Sequence, residues 1–268
     1  MDILSDSEIQ PFPPFSAPLI ELDGLSRRYG DFAAVRGISL SVPGGEVFGL
    51  LGPNGAGKST TLKMLATLLL PSGGTARIAG HDLTTAADAV RRTIGYVPEG
   101  ADLYDVLTGE EFLDLVRDLH RVPPDVAARR RAALAEAFRL EEELGRPAGE
   151  YSKGMKQKLL LIAALQHDPR VLLLDEPLDG LDVHSQEELK EILRRHAARG
   201  GCVVYSSHIL EVVEKVCDRV AILHRGMVAA VGRPRELTEQ SGDESLSKLF
   251  LRITEEPDGR PAVAEVAR

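Results

Sequence analysis

The chain has 268 residues, 43% of them hydrophobic, enough for a substantial core in one large domain or two small ones, which excludes a chain disordered throughout. Its 32 basic and 41 acidic residues leave a net charge of −9, the opposite of the basic face that a free nucleic-acid binder carries, so no direct nucleic-acid partner is expected. Two cysteines, Cys202 and Cys217, are too few for a disulfide framework or a zinc site of their own, and they read as buried thiols in a reducing compartment.

Residues 1–18 hold Asp2, Asp6, Glu8 and several prolines but no Lys or Arg, so they read as a flexible extended tail and not as a signal peptide. Strands are expected at residues 19–25 and 38–42, with Gly44-Gly45 turning the chain into a third at 46–51. That third strand is nearly all apolar, as in a strand buried on both faces of a parallel sheet. A helix follows, with Leu62, Leu65, Ala66 and Leu69 on one face. Strands come next at 76–79 and 93–97. From about residue 102 to 167 the pattern is helical, with helices at 110–120, 124–138 and 155–166. Strands at 171–175, 201–206 and 220–224 then alternate with helices at 184–198 and 209–217. Arg225-Gly226 is a hairpin turn into a strand at 227–231. Strand–helix alternation on both sides of the helical block predicts a mainly parallel α/β sheet with the block inserted. Beyond about Arg235 the chain is polar apart from Leu246, Leu249, Phe250 and Leu251, which suit a short docking helix. The longest clear apolar run is residues 159–165, far short of the roughly 18 residues of a membrane span.

Gly52-Pro53-Asn54-Gly55-Ala56-Gly57-Lys58-Ser59 matches G-x-x-x-x-G-K-[ST] in full, between a predicted strand and a predicted helix. Glycines let backbone N–H groups curl around phosphate oxygens, and the following helix points its positive end at the same anion. Lys58 supplies an ammonium to the β- and γ-phosphates, the Ser59 hydroxyl is a hard ligand for Mg²⁺, and Thr60 adds a hydrogen bond. The strand at 171–175 ends in Asp175-Glu176. Alone, that pair could be the solvated opening of a loop. Beside a phosphate loop, Asp175 is the natural Mg²⁺ ligand through water, and Glu176 the group that polarises an attacking water. His208 follows the strand at 201–206 and can reach a γ-phosphate. The other six histidines read as surface or capping residues.

These residues resemble the ATP-binding cassette (ABC) ATPases over roughly residues 19–232, with the motifs in the family's order. Tyr29 stands where that family stacks an aromatic ring on adenine. Gly52 to Thr60 resembles the Walker A loop, Asp175 and Glu176 the Walker B aspartate and catalytic glutamate, Asp179-Gly180-Leu181-Asp182 the D-loop, and His208 the switch histidine. The family signature, usually Leu-Ser-Gly-Gly-Gln, reads Tyr151-Ser152-Lys153-Gly154-Met155, so a lysine and a methionine replace a glycine and the glutamine. Without the family, Ser152 is an N-cap, and both readings can hold. Glu99 stands where the family has a glutamine that touches Mg²⁺ and hinges the helical insert.

The resemblance implies a P-loop ATPase fold: a mainly parallel sheet core, an N-terminal antiparallel β subdomain and an inserted helical subdomain at about 100–167. The ATP-binding domain would span 19–235, with a short extension at 236–268. It also implies ATP and Mg²⁺ as cofactors. Two subunits would pair head to tail, with Ser152, Lys153, Gly154 and Met155 facing the partner's ATP. The combined motif set resembles the bacterial export branch, whose ATPases serve separate ABC-2-type permeases from the cytoplasmic side of the membrane. The alternative is a soluble ABC ATPase of translation, DNA repair or cofactor assembly. A small-molecule kinase or GTPase has no need of the signature, and no guanine-reading Asn-Lys-x-Asp is present.

Overall fold

The computed structural model describes residues 11–100 and 103–255; the expectations for residues 1–10, 101–102 and 256–268 lie outside the described residues. Two sheets form the framework. The first is antiparallel and comprises β1 (Ile20–Tyr29), β2 (Phe32–Val42), β4 (Gly73–Ile78) and β5 (His81–Asp82), in the order β2-β1-β4-β5. The second comprises β3 (Glu46–Leu51), β6 (Ile94–Val97), β7 (Val171–Asp175), β8 (Cys202–Ser207), β9 (Arg219–His224) and β10 (Met227–Gly232), in the order β10-β9-β3-β8-β7-β6. All its pairings are parallel except the β9–β10 hairpin, where the sequence places the Arg225-Gly226 turn.

The first two strands run well past their expected limits at 19–25 and 38–42. Polar residues such as Arg27 and Arg28 hide the strand period, yet Arg28 pairs with Ala33 and Tyr29 with Phe32 across a turn at Gly30. The helices are α1 (Lys58–Leu65), α2 (Ala87–Thr93), α3 (Gly109–His120), α4 (Pro124–Phe138), α5 (Lys153–Leu165), α6 (Val183–Ala198), α7 (Leu210–Val216), α8 (Pro234–Ser241) and α9 (Leu246–Glu255). The two-residue β5 and the short α2 have no counterpart in the sequence reading, because neither is long enough to show a period.

Strand β3 explains the packing. Phe48 and Leu50 face a core with Leu62 and Leu65 of α1 and the antiparallel sheet. Val47 and Leu51 face a second core with Leu159 to Ala164 of α5, Leu189 and Leu193 of α6, and Val213 of α7. Burial on both faces is why its sequence is apolar throughout. The C-terminal apolar residues do dock, and onto this chain's own core: Leu237, Leu246, Leu249 and Ile253 are buried there. Cys202 and Cys217 are free and buried, and burial pushes both thiols up. At the other end, the segment at 11–18 meets the end of α6 and Arg170, just before β7. There the Phe12 N–H donates to Arg199 O (2.8 Å), and the Arg199 guanidinium lies 4.6 Å over the Phe12 ring.

Candidate nucleotide site

The parallel register brings the functional residues to one edge. Leu51 pairs with Ser207 and Asp175 with Ser206, so the loop after β3, the acids after β7 and the histidine after β8 leave the same side of the sheet. Strand β8 lies between β3 and β7. Asp175 is therefore one strand removed from the phosphate loop, where the sequence reading places it on a neighbouring strand.

Between β3 and α1 the chain closes a loop whose turn depends on Gly57. Its φ is 106°, and a Cβ there would stand 2.7 Å from Ala34 O. Lys58 is only 7% exposed. Its Nζ donates to Gly52 O at 2.7 Å and reaches Pro53 O at 3.5 Å, so the ammonium curls back over its own loop. The Ser59 hydroxyl donates to Glu99 Oε2 at 3.4 Å, linking the first turn of α1 to the end of β6.

An open cleft of ≈ 390 Å³ lies over this loop. Asn54, Gly55, Ala56, Gly57, Lys58, Ser59 and Thr60 form its floor, and Tyr29, Glu99 and Glu176 its walls. Phe32 also lines it, and the sequence reading misses this residue. The signal was available: Tyr29 and Phe32 flank the Gly30-Asp31 turn, so one hairpin tip carries two exposed aromatic rings, and the Arg27 guanidinium lies 4.8 Å over the Tyr29 ring.

Asp175 lies under the cleft, fully buried. Its Oδ1 accepts from the Ser206 hydroxyl at 2.5 Å, and its Oδ2 has no partner within the protein. A buried carboxylate oxygen left unpaired is costly, and a cation or a water bound to one removes the cost. Among the described residues no group of three or more His, Cys, Asp or Glu is placed to hold a metal. The donors here are instead a hydroxyl and isolated carboxylates: Ser59, Asp175 and Glu99. Such a set suits a hard cation that takes its remaining oxygens from water and phosphate. Buried beside these acids is the Tyr96 hydroxyl, which burial pushes up first, followed by the charges of Asp175 and Glu99.

Glu176 sits in the left-handed region with φ 49°, a conformation that costs a non-glycine residue on the order of 1 kcal/mol. Two contacts hold it there. Its N–H donates to Ser206 Oγ at 3.1 Å, and its carbonyl accepts from the Asp179 N–H at 3.1 Å. Ser206 thus fixes both acids at once. His208 Nδ1 lies 3.0 Å from Glu176 Oε2, with the imidazole 61% exposed and the glutamate side chain 12% exposed.

The structure sets Ser152, Lys153, Gly154 and Met155 away from this cleft. They open α5, where Ser152 Oγ caps the helix by accepting from the Met155 N–H at 3.2 Å. Against them lie Asp179, Gly180, Leu181 and Asp182. Asp182 caps α6, and the ammonium of Lys158 beside it holds its carboxyl well below the usual carboxylate range, helped by the Ser185 N–H.

A family model described as ABC transporter matches residues 35–179. The daunorubicin/doxorubicin resistance ATP-binding protein DrrA of Streptomyces peucetius is 40% identical over 227 residues, which span 85% of this chain and 69% of that protein. The Nod factor export ATP-binding protein I of Ralstonia nicotianae is 36% identical over 222 residues, spanning 83% of this chain and 69% of that protein. A solved dimeric structure of an ATP-binding cassette, in a post-hydrolysis state bound to ADP and Pi, superposes with a TM-score of 0.71 at 25% identity, over 80% of this chain and 98% of that one.

Proposed function

The chain belongs to the ABC transporter family, and from that premise we propose that it is the ATP-hydrolysing subunit that powers export through a separate ABC-2-type permease. The observation that carries the reading is the Asp175–Ser206–Glu176 arrangement under a complete phosphate loop: an orphaned buried carboxylate oxygen, and beside it a carboxylate held in a strained pose at the cleft. That strain suits a group positioned for chemistry.

In this reading the Tyr29 and Phe32 rings pack the adenine end of ATP, and residues 54–60 wrap its phosphates with backbone N–H groups. Lys58 exchanges its carbonyl partners for phosphate oxygens. Ser59, Asp175 and Glu99 would hold Mg²⁺, which would supply positive charge to offset that of the phosphates. Glu176 orients the attacking water and accepts its proton, and His208 keeps the carboxylate aimed. Ser152 to Met155 complete the site of a second subunit head to tail: Ser152 Oγ and the N-terminus of α5 meet the partner's γ-phosphate. Residues 19–235 form the ATP-binding domain, with the helical subdomain at about 100–167 moving on the Glu99 segment.

No helix among the described residues is long and apolar enough to cross a membrane. In this reading the pathway belongs to the permease chain, and this subunit works from its cytoplasmic side. The test is a pull-down of the Glu176→Gln variant from membranes with Mg-ATP, with the captured proteins identified. A co-purifying polytopic permease is the expected result. Recovery of ribosomes, DNA or a soluble assembly factor instead would overturn the transport reading.

A further inference from the structure

The start of α5 is tied to the loop after Glu176 by three polar contacts, its rungs. Gln157 Nε2 donates to Pro177 O at 3.1 Å, Lys158 Nζ meets Asp182 Oδ2 at 2.7 Å, and Lys153 Nζ meets Asp179 Oδ2 at 2.5 Å. The helix and the loop are close enough that a Cβ at Gly154 would lie 2.5 Å from Gly180 O. The Lys153 stem crosses Gly180, with Cγ 3.4 Å from where a Cβ of Gly180 would stand. Asp179 is itself joined to Glu176 through its N–H.

The rungs differ in burial. Gln157 is buried and the Lys158 side chain is 12% exposed, whereas the Lys153 and Asp179 side chains are 66% and 61% exposed. An exposed ion pair adds little to folding, so the two inner rungs suffice to dock the helix. The outer one lies where α5 opens, next to Ser152. At this level the backbones of Gly154 and Gly180 also approach closely.

We propose that Lys153 and Asp179 are a positioning pair that locks the signature turn to the Glu176 loop, so that the seat offered to one nucleotide and the carboxylate serving the other move as one body. This rests on the reading that residues 152–155 face a second subunit's nucleotide. The lysine that departs from the family's glycine thereby acquires a task that glycine could not perform.

The experiment is a double-mutant cycle on steady-state ATP hydrolysis with Lys153→Met, Asp179→Asn and the double variant, plus Lys153→Arg. Each single change is expected to lower kcat about threefold to fivefold and to move KM for ATP less than about twofold. The double variant should be no worse than either single one, and Lys153→Arg should restore most of kcat. Lys156→Met, which breaks the Lys156–Asp105 pair (2.9 Å) on the same helix, serves as the control and should stay within about twofold of the parent. Additive losses overturn the proposal. So does a loss in Lys153→Met with none in Asp179→Asn, which would make Lys153 a direct phosphate ligand. ATP-driven dimer formation by Glu176→Gln, followed by size-exclusion chromatography, tests the underlying reading separately. A dimer without coupling between 153 and 179 removes this inference alone, whereas no dimer removes both.

Discussion

The phosphate loop and the signature turn both present a helix N-terminus suited to an anion, yet they are built in opposite ways. The loop at 52–60 is closed on itself: Lys58 is buried, its ammonium is held by two carbonyls of its own loop, and the Gly57 turn is packed against Ala34. The turn at 152–155 is open, and its ties run to a different loop, the one that carries Glu176. The backbone of such a cradle is already curled for its ligand, and only the Lys58 ammonium has to exchange partners. An exposed half-site has its polar groups ready for a ligand that something else must bring. The contrast is the one that the proposed sharing of a nucleotide between two subunits would require.

The sharpest way to break this comparison is at the closed face. Glu176→Gln keeps the shape and removes the base, so kcat should fall by about 10² to 10⁴, with ATP affinity retained. Near-normal turnover in a single-turnover assay would take the water-activating role away from Glu176. Lys58→Ala should follow, weakening ATP binding by about tenfold to a hundredfold, since a charge-assisted contact is lost. Calorimetry that returns an unchanged Kd would remove the cradle assignment. Phe32→Ala should weaken ATP by less, roughly fivefold to tenfold, because one stacking surface of two is lost at the hairpin tip. A matching loss with GTP in place of ATP is expected, since stacking tolerates any base.

A separate effect lies in folding, at two buried histidines. Burial lowers His196 and His167 to about 4, the stronger cause in each case being loss of solvation. Above the unfolded value of about 6.5 both states are neutral and stability is level. Below it the unfolded chain binds protons that the folded one refuses, so stability falls as pH drops from about 6.5 to about 4. The slope is at most about 1.4 kcal/mol per pH unit for each histidine. Thermal melts across that range should show it, and His167→Gln should flatten it; a flat wild-type profile would contradict the buried neutral state.

Much of the site was legible without coordinates. The Gly52–Ser59 spacing, the acids after an apolar strand and the Ser152 cap are local patterns, each made by neighbours along the chain. The sequence also marked the β9–β10 hairpin, because a turn dipeptide needs no distant partner. It did not reveal Phe32, whose role depends on a strand whose period was masked by charged residues. Nor did it reveal Ser206, which matters only because parallel register sets it opposite Asp175.

The sequence by itself determined the chemistry: which groups can meet phosphate, metal and water, and the apolar strands that must be buried to carry them. The tertiary structure alone decided their arrangement. Strand order put β8 between the phosphate loop and the acids, the Ser206 hydroxyl joined Asp175 to Glu176, and helix packing laid Lys153 across Gly180 onto Asp179. Those contacts join residues 26 to 31 positions apart. No local propensity encodes such pairs, because only the burial of both sheet faces fixes which distant segments become neighbours.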